Sequence, residues 1–445
     1  MGMEEIKKRL SSSQIIILGF AAVILMGSLL LMLPISTQDG MGAVFTDALF
    51  TATSAVCVTG LVVQDTATYW SVFGQTVILL LIQIGGMGVV TVAVAVFRAS
   101  GKKISLKERS TMQEAICAHK VGGIIRLTGF IIKLSLLFEL AGAMALFPAF
   151  YREFGAGKGL WYAVFHSVSA FCNAGFDLMG SHAPYSSLTY FADEPVVNIV
   201  IMLLIIIGGI GFITWDDIKM QGYHIHKYRM QSKVILAVTV CLIFLPALYF
   251  YFFEFSNIPS GERFLYSLFQ SVTPRTAGFN TADLALLSET GSAVMIVLML
   301  VGGSPGSTAG GMKTTTFAVL ISAAVSVFRG RENAHFFGRR ISEDTVRSAV
   351  AVSTMYFTLF LSGGFLISRV EQLPLLPCLY ETASAVATVG LTLGITPRLG
   401  LSSRVILILL MYIGRVGGMT LIFAAMPVGR KGNTARLPKE RLTVG

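Results

Sequence analysis

Four related stretches recur along this chain at nearly regular spacing, and each ends in a glycine followed by an apolar residue. The first reads TSAVCVTGL and follows a short amphipathic run that begins at Phe45. The four glycines are separated by 115, 103 and 112 residues, so four similar units account for nearly all 445 residues. Because internal repeats decide the architecture of a chain, they limit its fold more than a single motif does. The stretches occupy residues 53–61, 167–176, 271–279 and 383–391.

The segments between these stretches are strongly apolar. Hydrophobic residues make up 54% of the chain and charged residues only 13%, roughly half the charged share of a soluble domain. The apolar blocks are about 18 residues or longer, which is enough for a helix to cross the hydrocarbon layer of a membrane. We therefore expect an all-α polytopic membrane protein embedded in a lipid bilayer.

Each unit has the same order of elements: a full helix, a half-length helix, the polar loop and a second full helix. The half-length helix is too short to cross the membrane, so it must return to the side from which it entered. The prediction is eight spans and four re-entrant half-helices around one pore. The predicted repeats are residues 14–97, 124–218, 233–328 and 346–426, with a cytoplasmic N-terminus (1–13), loop (98–123) and tail (427–445).

Lysine and arginine are concentrated in alternate loops, although the formal net charge is only +10. The positive-inside rule places these loops and both termini in the cytoplasm. Binding to nucleic acid is not expected, because the charges flank membrane spans and no soluble domain displays them. The basic clusters lie at residues 7–9, 98–133, 219–233, 329–347 and 430–441.

A glycine cluster recurs in the second helix of every unit. Helix packing explains each cluster taken alone, since small residues let transmembrane helices approach closely. Packing does not explain why the clusters keep register with the polar loops, whereas a shared central axis explains both. The second helices are predicted over residues 70–97, 195–215, 292–328 and 402–426, and their clusters begin at Gly85, Gly208, Gly302 and Gly414.

The polar loops can form an ion-selectivity filter. Irregular backbone at membrane depth is tolerated only where protein buries it or where it lines a water-filled path. Four loops that meet at one axis satisfy this condition, and their carbonyl oxygens can replace the hydration shell of a cation. Glycine at the last position allows backbone conformations that turn its carbonyl inward. The predicted donors are Val58, Thr59, Gly60, Asn173, Ala174, Gly175, Thr276, Ala277, Gly278, Thr388, Val389 and Gly390.

These motifs together resemble the Trk/Ktr/HKT potassium transporter superfamily, and within it the bacterial KtrB membrane subunits. The resemblance covers residues 14–426 and includes TPRTAGFN from Thr273, GSPGSTAGGMKTTT from Gly303 and IGRVGGMT from Ile413. It implies four helix–pore–helix units, a potassium-selective filter and a homodimer with one pore per subunit. It also implies a cytosolic nucleotide-binding regulatory ring of the RCK type (KtrA-like).

The same resemblance suggests which ion is selected. In this family, glycine at all four filter positions is associated with potassium, and serine in the first loop with sodium. This chain has glycine at all four positions. The third loop departs from the others, because Phe269 and Gly278 are nine residues apart instead of ten, and Arg275 lies between them.

The second helix of the third unit is interrupted over residues 302–314. Glycine's backbone entropy and proline's missing N–H both oppose a continuous helix there. The segment follows the third filter loop on the cytoplasmic side, and we expect it to close the pore and to move when the pore opens. The family resemblance agrees with this role. The predicted gate residues are Gly302, Gly303, Ser304, Pro305, Gly306, Gly310 and Gly311, together with Arg415.

Arg415 stands in the fourth unit where the other units have glycine. An ionisable residue in the membrane is costly and usually functional. Its five N–H donors can bind carbonyl groups of residues 302–314, here called the gating segment, and so keep the pore closed. The alternative is a structural ion pair with Glu139, Glu381 or Asp47, whose own roles stay open. Lys313 is expected to extend toward the cytoplasm.

Three classes of function are consistent with a chain of this kind. The first is potassium uptake, the second is sodium-coupled or sodium-permeable transport on the same fold, and the third is an enzyme. Residues 306–314 nearly match a nucleotide-binding loop, but one extra residue precedes the lysine and no strand leads into it, so an ATPase is not expected. The five cysteines have no metal-binding spacing, and K+ is the one bound ion that we expect.

Overall fold

The computed structural model describes residues 11–99, 106–116 and 123–425 of the chain. These residues are predominantly helical. The only strands among them form one short antiparallel hairpin, β1 (His335–Phe336) and β2 (Arg339–Arg340). The helices repeat the order predicted from the sequence four times.

The first repeat contains four helices. Helix α1 (Ser12–Leu31) begins with a capping box in which Ser11 and Gln14 exchange side-chain hydrogen bonds with each other's backbone N–H groups. Helix α2 (Phe45–Val56) is the half-helix that leads into the first polar loop. The second span is divided into α3 (Val72–Met87) and α4 (Val89–Ala99).

The second repeat is preceded by α5 (Leu106–Ile116). Helix α6 (Ile124–Phe171) contains both the first span and the half-helix of this repeat, and they join at Gly155, whose φ of 74° and ψ of −176° are not helical. The second span is divided into α7 (Pro195–Ile210) and α8 (Phe212–Gln221).

The third repeat begins with α9 (Met230–Tyr249) and a π turn (Phe250–Glu254). Its half-helix is α10 (Ser260–Val272), and its second span consists of α11 (Glu289–Leu300) and α12 (Thr314–Phe328).

The fourth repeat contains α13 (Glu343–Glu371), the half-helix α14 (Leu375–Ala387), α15 (Leu401–Val416) and α16 (Gly418–Ala425). Nearly every residue of α14 from Cys378 onward is buried. The half-helices thus lie at the centre of the protein, while the longer helices surround them.

The second spans differ from the prediction. Unbroken helices were predicted in repeats one, two and four, and this is wrong: α3 and α4 meet at 99°, and α7 and α8 at 91°. The breaks fall at Gly88, Gly211 and Gly417, whose φ values of 85°, 97° and 89° lie in the left-handed region. An α-helix cannot continue through such a residue. The interruption in the third repeat is therefore the longest example of a general feature.

Four of the described helices are long and apolar enough to cross a membrane, or six if each bent pair is one span. In repeats three and four, the second span is divided into shorter helices, of 12 and 15 residues in the third repeat and of 16 and 8 residues in the fourth. Residues 98–123, predicted as a cytoplasmic loop, include helix α5. Its Met112 is buried, and its Thr111 hydroxyl donates to the Ser12 hydroxyl of α1 at 3.1 Å.

Candidate selectivity filter and gate

The four polar loops share one backbone conformation. In each loop, the residue two positions before the glycine and the glycine itself both have positive φ. Such values are uncommon for residues other than glycine, and the same outlier four times indicates a common structural demand. The φ values are 57° and 94° for Val58 and Gly60, 59° and 68° for Asn173 and Gly175, 62° and 84° for Thr276 and Gly278, and 53° and 97° for Thr388 and Gly390.

The four glycines form a closed ring. A Cβ atom placed on any of them would lie 2.8 Å or less from a backbone carbonyl oxygen of the next loop. No real side chain tolerates such a distance, so the ring closes only because these residues lack a side chain. The neighbours in order are Gly60 with Ala174, Gly175 with Ala277, Gly278 with Val389, and Gly390 with Thr59.

The glycine clusters of the second spans make room for the half-helices. In repeats one, two and four, a Cβ on the first glycine of the cluster would collide with a carbonyl oxygen at the end of the half-helix. This contact with the repeat's own half-helix is why the clusters keep register with the loops, so close packing explains the register that a shared axis was expected to explain. The pairs are Gly85 with Val56, Gly208 with Phe171, and Gly414 with Val386.

A hydroxyl residue near the end of each half-helix holds the loop that follows, and sequence reasoning missed it. The signal was present, because a serine precedes the glycine by six residues in three repeats and a threonine precedes it by five in the shortened third loop. All four are fully buried and all bond to the loop through side chain and backbone. These residues are Ser54, Ser169, Thr273 and Ser384.

The gating segment lies directly against the filter loops. The Thr308 hydroxyl donates to Oδ1 of Asn173 in the second loop at 3.0 Å. Gly310 lies against the side chain of Thr388 in the fourth loop, so closely that a Cβ would not fit. The segment is also fixed to the second repeat, since the N–H of Ser304 donates to the Gly209 carbonyl at 3.1 Å.

Arg415 connects the gating segment to the first repeat. Its guanidinium donates to the Thr308 carbonyl and to the carbonyls of Gly85 and Gly86. The predicted contact between Arg415 and the loop carbonyls is therefore present in the structure. Five of the predicted gate residues make backbone hydrogen bonds with the second or fourth repeat or within the segment: Gly302, Gly303, Ser304, Gly306 and Gly311.

The three membrane carboxylates have other partners among the described residues, so the structural ion pair with Arg415 is not formed. Asp47 binds Arg404 at 2.7 Å and accepts from Gln64 at 2.8 Å. Glu139 accepts from Nε2 of Gln83 at 2.9 Å.

The third carboxylate, Glu381, accepts from the hydroxyls of Thr392 and Thr396. Because both threonines follow the fourth filter loop, Glu381 holds the chain that leaves the filter. The buried Arg275 lies behind the third loop and donates to the Thr239 hydroxyl at 3.1 Å.

Lys313 differs from its prediction. Its amine donates to the carbonyl of Ala309 at 2.8 Å, within the gating segment, and does not extend away from it. Helix α5 also reaches the segment, since a Cβ on Gly306 would lie 2.7 Å from the carbonyl oxygen of Ile116. The gating segment is therefore contacted both by the amine of its own Lys313 and by helix α5, which lies between two repeats.

One acidic group lies just beyond the filter. Asp177 follows Gly175 by two residues and accepts from the N–H of Met179 at 2.8 Å. Burial raises the pKa of this carboxyl to about 7, and the negative charge of Asp65 acts in the same direction. Its charge therefore changes near neutral pH.

The fold and the ring define a multi-pass membrane protein in which four pore-loop units of one chain surround a single central path. The sequence model of one family, described as TrkH, cation transport protein, matches residues 7–431. The chain therefore belongs to the TrkH family of cation transport proteins, which confirms the resemblance found in the sequence.

Relatives of known name match over nearly their whole length. The chain is 39% identical to the potassium/sodium uptake protein NtpJ of Enterococcus hirae, over 99% of both chains. It is 41% identical to the Ktr system potassium uptake protein B of Bacillus subtilis, over 94% of this chain and 93% of that protein. The crystal structure of the potassium transporter TrkH from Vibrio parahaemolyticus has the same fold, with a TM-score of 0.73 at 21% identity over 93% of this chain and 84% of that one.

Proposed function

We propose that this protein takes up potassium across the cell membrane as the ion-translocating subunit of a Ktr-type system. The observation that carries the proposal is the closed ring of Gly60, Gly175, Gly278 and Gly390. The names of the relatives, which are potassium/sodium uptake and Ktr system potassium uptake proteins, support potassium as the transported ion. The proposal needs no organic cofactor and no enzymatic step, because K+ is both the bound and the transported species.

In this proposal, each loop contributes the carbonyl oxygens of the three residues that end at its glycine. Among these three residues, the first and third have left-handed backbone and the middle one does not. This alternation directs successive carbonyls toward one side of the loop. Four loops in a ring then surround the ion with oxygen atoms in place of water. The donors are the residues predicted from the sequence, three in each loop, of which Val58 is the first and Gly390 the last.

The gate in this proposal is the segment 302–314 with Arg415. The segment is held against the filter by Thr308, which bonds to Asn173 through its hydroxyl and to Arg415 through its carbonyl. The positive charge of Arg415 also repels cations that approach the closed filter. Opening requires that these contacts break and that the segment withdraw.

Regulation and assembly follow from the family resemblance. We include a homodimer, both termini in the cytoplasm and a cytosolic nucleotide-binding RCK-type ring that acts on the gate. The basic residues between repeats support this orientation. The contact between Ile116 and Gly306 supports a route from the cytoplasmic surface, because α5 lies between two repeats and touches the gate.

The decisive experiment uses bacterial cells that lack their own potassium uptake. Expression of this chain with its regulatory subunit should restore growth at low potassium and rapid Rb+ uptake, and expression alone should give slower uptake. Failure to restore either, with the protein present in the membrane, would contradict the proposal. Uptake of Na+ without rescue at low potassium would favour the sodium-permeable alternative.

A further inference from the structure

Each filter loop depends on one hydroxyl residue, which lies in the last turns of the preceding half-helix or, for Thr273, directly after it. The backbone carbonyl of this residue accepts from the N–H of the residue just before the filter glycine, at 2.7–3.0 Å in all four repeats. In the first and fourth repeats, its side chain binds the N–H of the next peptide group, whereas in the second and third it binds a carbonyl after the filter glycine. One residue therefore fixes two peptide groups of each loop, and they are consecutive only in the first and fourth repeats.

The side chains act in two different ways. In the first and fourth repeats, the hydroxyl accepts a hydrogen bond from the glycine N–H, at 3.1 Å for Ser54 and 3.0 Å for Ser384. In the second and third repeats, the hydroxyl donates to the carbonyl of the phenylalanine after the glycine. The distance is 2.8 Å for Ser169, and Thr273 makes the same contact.

We propose that these four residues are positioning residues for ion selectivity, and that Ser54 and Ser384 matter most. This inference rests on the proposed filter. The glycine N–H and the carbonyl of the preceding residue belong to the same planar peptide group. A hydrogen bond that fixes the N–H therefore also fixes that carbonyl. Glycine alone cannot do this, because it allows more backbone conformations than any other residue.

The two kinds of contact predict unequal effects. Removal of Ser54 or Ser384 leaves a buried N–H without its acceptor, which is strongly unfavourable, and the peptide group will rotate to find another. Removal of Ser169 or Thr273 leaves a carbonyl, which can still accept a hydrogen bond from water. Substitution of Ser54 or Ser384 should therefore change the filter more than substitution of Ser169 or Thr273.

The test measures selectivity and amount of transport separately. Rb+ uptake is measured in potassium-uptake-deficient cells at increasing Na+ concentrations, which gives the apparent KM and the maximal rate. The thermal midpoint of unfolding is measured for each variant separately. Ser384→Ala should lower the preference for Rb+ over Na+ about tenfold, and Ser169→Ala about threefold or less. Ser384→Thr, which keeps the acceptor, should restore selectivity. Ser362→Ala serves as the control, because this hydroxyl bonds only within its own helix at an exposed position.

Three results would overturn the inference. A lower maximal rate or thermal midpoint with unchanged selectivity in Ser384→Ala would mean that the serine only stabilises the half-helix. Equal effects of Ser384→Ala and Ser169→Ala would contradict the assigned roles. Gly60→Ser separates this inference from the proposed filter: if it changes selectivity and the serine variants do not, only the inference fails. If Ser384→Ala does not fold, Ser384→Cys replaces it, since sulfur is a weak acceptor.

Discussion

The filter loops and the gating segment are both irregular backbone at the centre of the protein, but they are held in different ways. In the filter loops, backbone N–H groups donate to the loop's own half-helix, as the N–H of Gly390 does to Ser384. The gating segment takes many of its bonds from other repeats, including Gly208 and Gly209 of the second and Arg415 of the fourth. A loop tied to its own helix keeps its shape while neighbours move, whereas a segment tied to neighbours can be released. In the proposed mechanism, this difference separates ion selection by the filter loops from gating by the segment.

The largest expected effect comes from breaking the ring itself. Gly60→Ser places a Cβ about 2.5 Å from the Ala174 carbonyl, at a φ of 94° that a side chain resists, so the first loop must shift. We expect the preference for Rb+ over Na+ to fall on the order of a hundredfold, measured as inhibition of Rb+ uptake by Na+. Gly261→Ser is the matched control, because nothing lies near its Cβ position. Unchanged selectivity in Gly60→Ser would remove the filter assignment.

The second prediction concerns the contacts from another repeat that hold the gate. Arg415→Ala removes charge-assisted bonds to Thr308, Gly85 and Gly86, which in the proposed gate hold the closed state. Rb+ uptake without the regulatory subunit should rise about tenfold, with little change in selectivity. Arg347→Ala is the control, since that side chain is exposed. Reduced uptake at normal protein amount would mean that Arg415 supports the open pore and does not close it.

The third prediction removes a single contact between the two regions. Thr308→Val keeps the shape of the side chain and deletes its hydrogen bond to Asn173. Because one uncharged bond is lost, uptake without the regulatory subunit should rise only about threefold to fivefold. If Thr308→Val equals Arg415→Ala in effect, the hydroxyl of Thr308 carries as much of the coupling as the guanidinium of Arg415 does. No rise at all would show that filter and gate are not coupled through Thr308.

The smallest effect concerns the entrance of the filter. Above a pH of about 7 Asp177 is charged and attracts cations, and below it the raised pKa makes the group neutral. The apparent KM for Rb+ should therefore rise about twofold as external pH falls from roughly 8 to 6. Asp177→Asn should remove this dependence and resemble the wild type at low pH. A dependence that persists in Asp177→Asn would assign it to another group.

Much of this arrangement could be predicted from the sequence, because it is written four times. The repeat period, the half-helices and the four glycines follow from local patterns that need no knowledge of contacts. The interruption at residues 302–314 is predicted by its glycine and proline content. A functional role for Arg415 is predicted by the free-energy cost of an ionisable residue in a membrane.

The remaining features depend on neighbours that are distant in the chain. Glycine weakens a helix, but whether a helix breaks at Gly88 or Gly211 depends on what packs beside it. The kink within α6 at Gly155 and the burial of Met112 in α5 are likewise tertiary effects. The hydroxyls of Ser54 and Ser384 were visible in the repeats, yet a serine within a helix has an ordinary explanation as a donor to a carbonyl of the preceding turn.

The central claim is that the ring of four glycine loops binds the transported ion. Anomalous X-ray diffraction from crystals grown with Rb+ in place of K+ tests it most directly. The account predicts the strongest Rb+ peak inside the ring of Gly60, Gly175, Gly278 and Gly390, bounded by loop carbonyls. Rb+ peaks elsewhere in the protein with none inside this ring would contradict it.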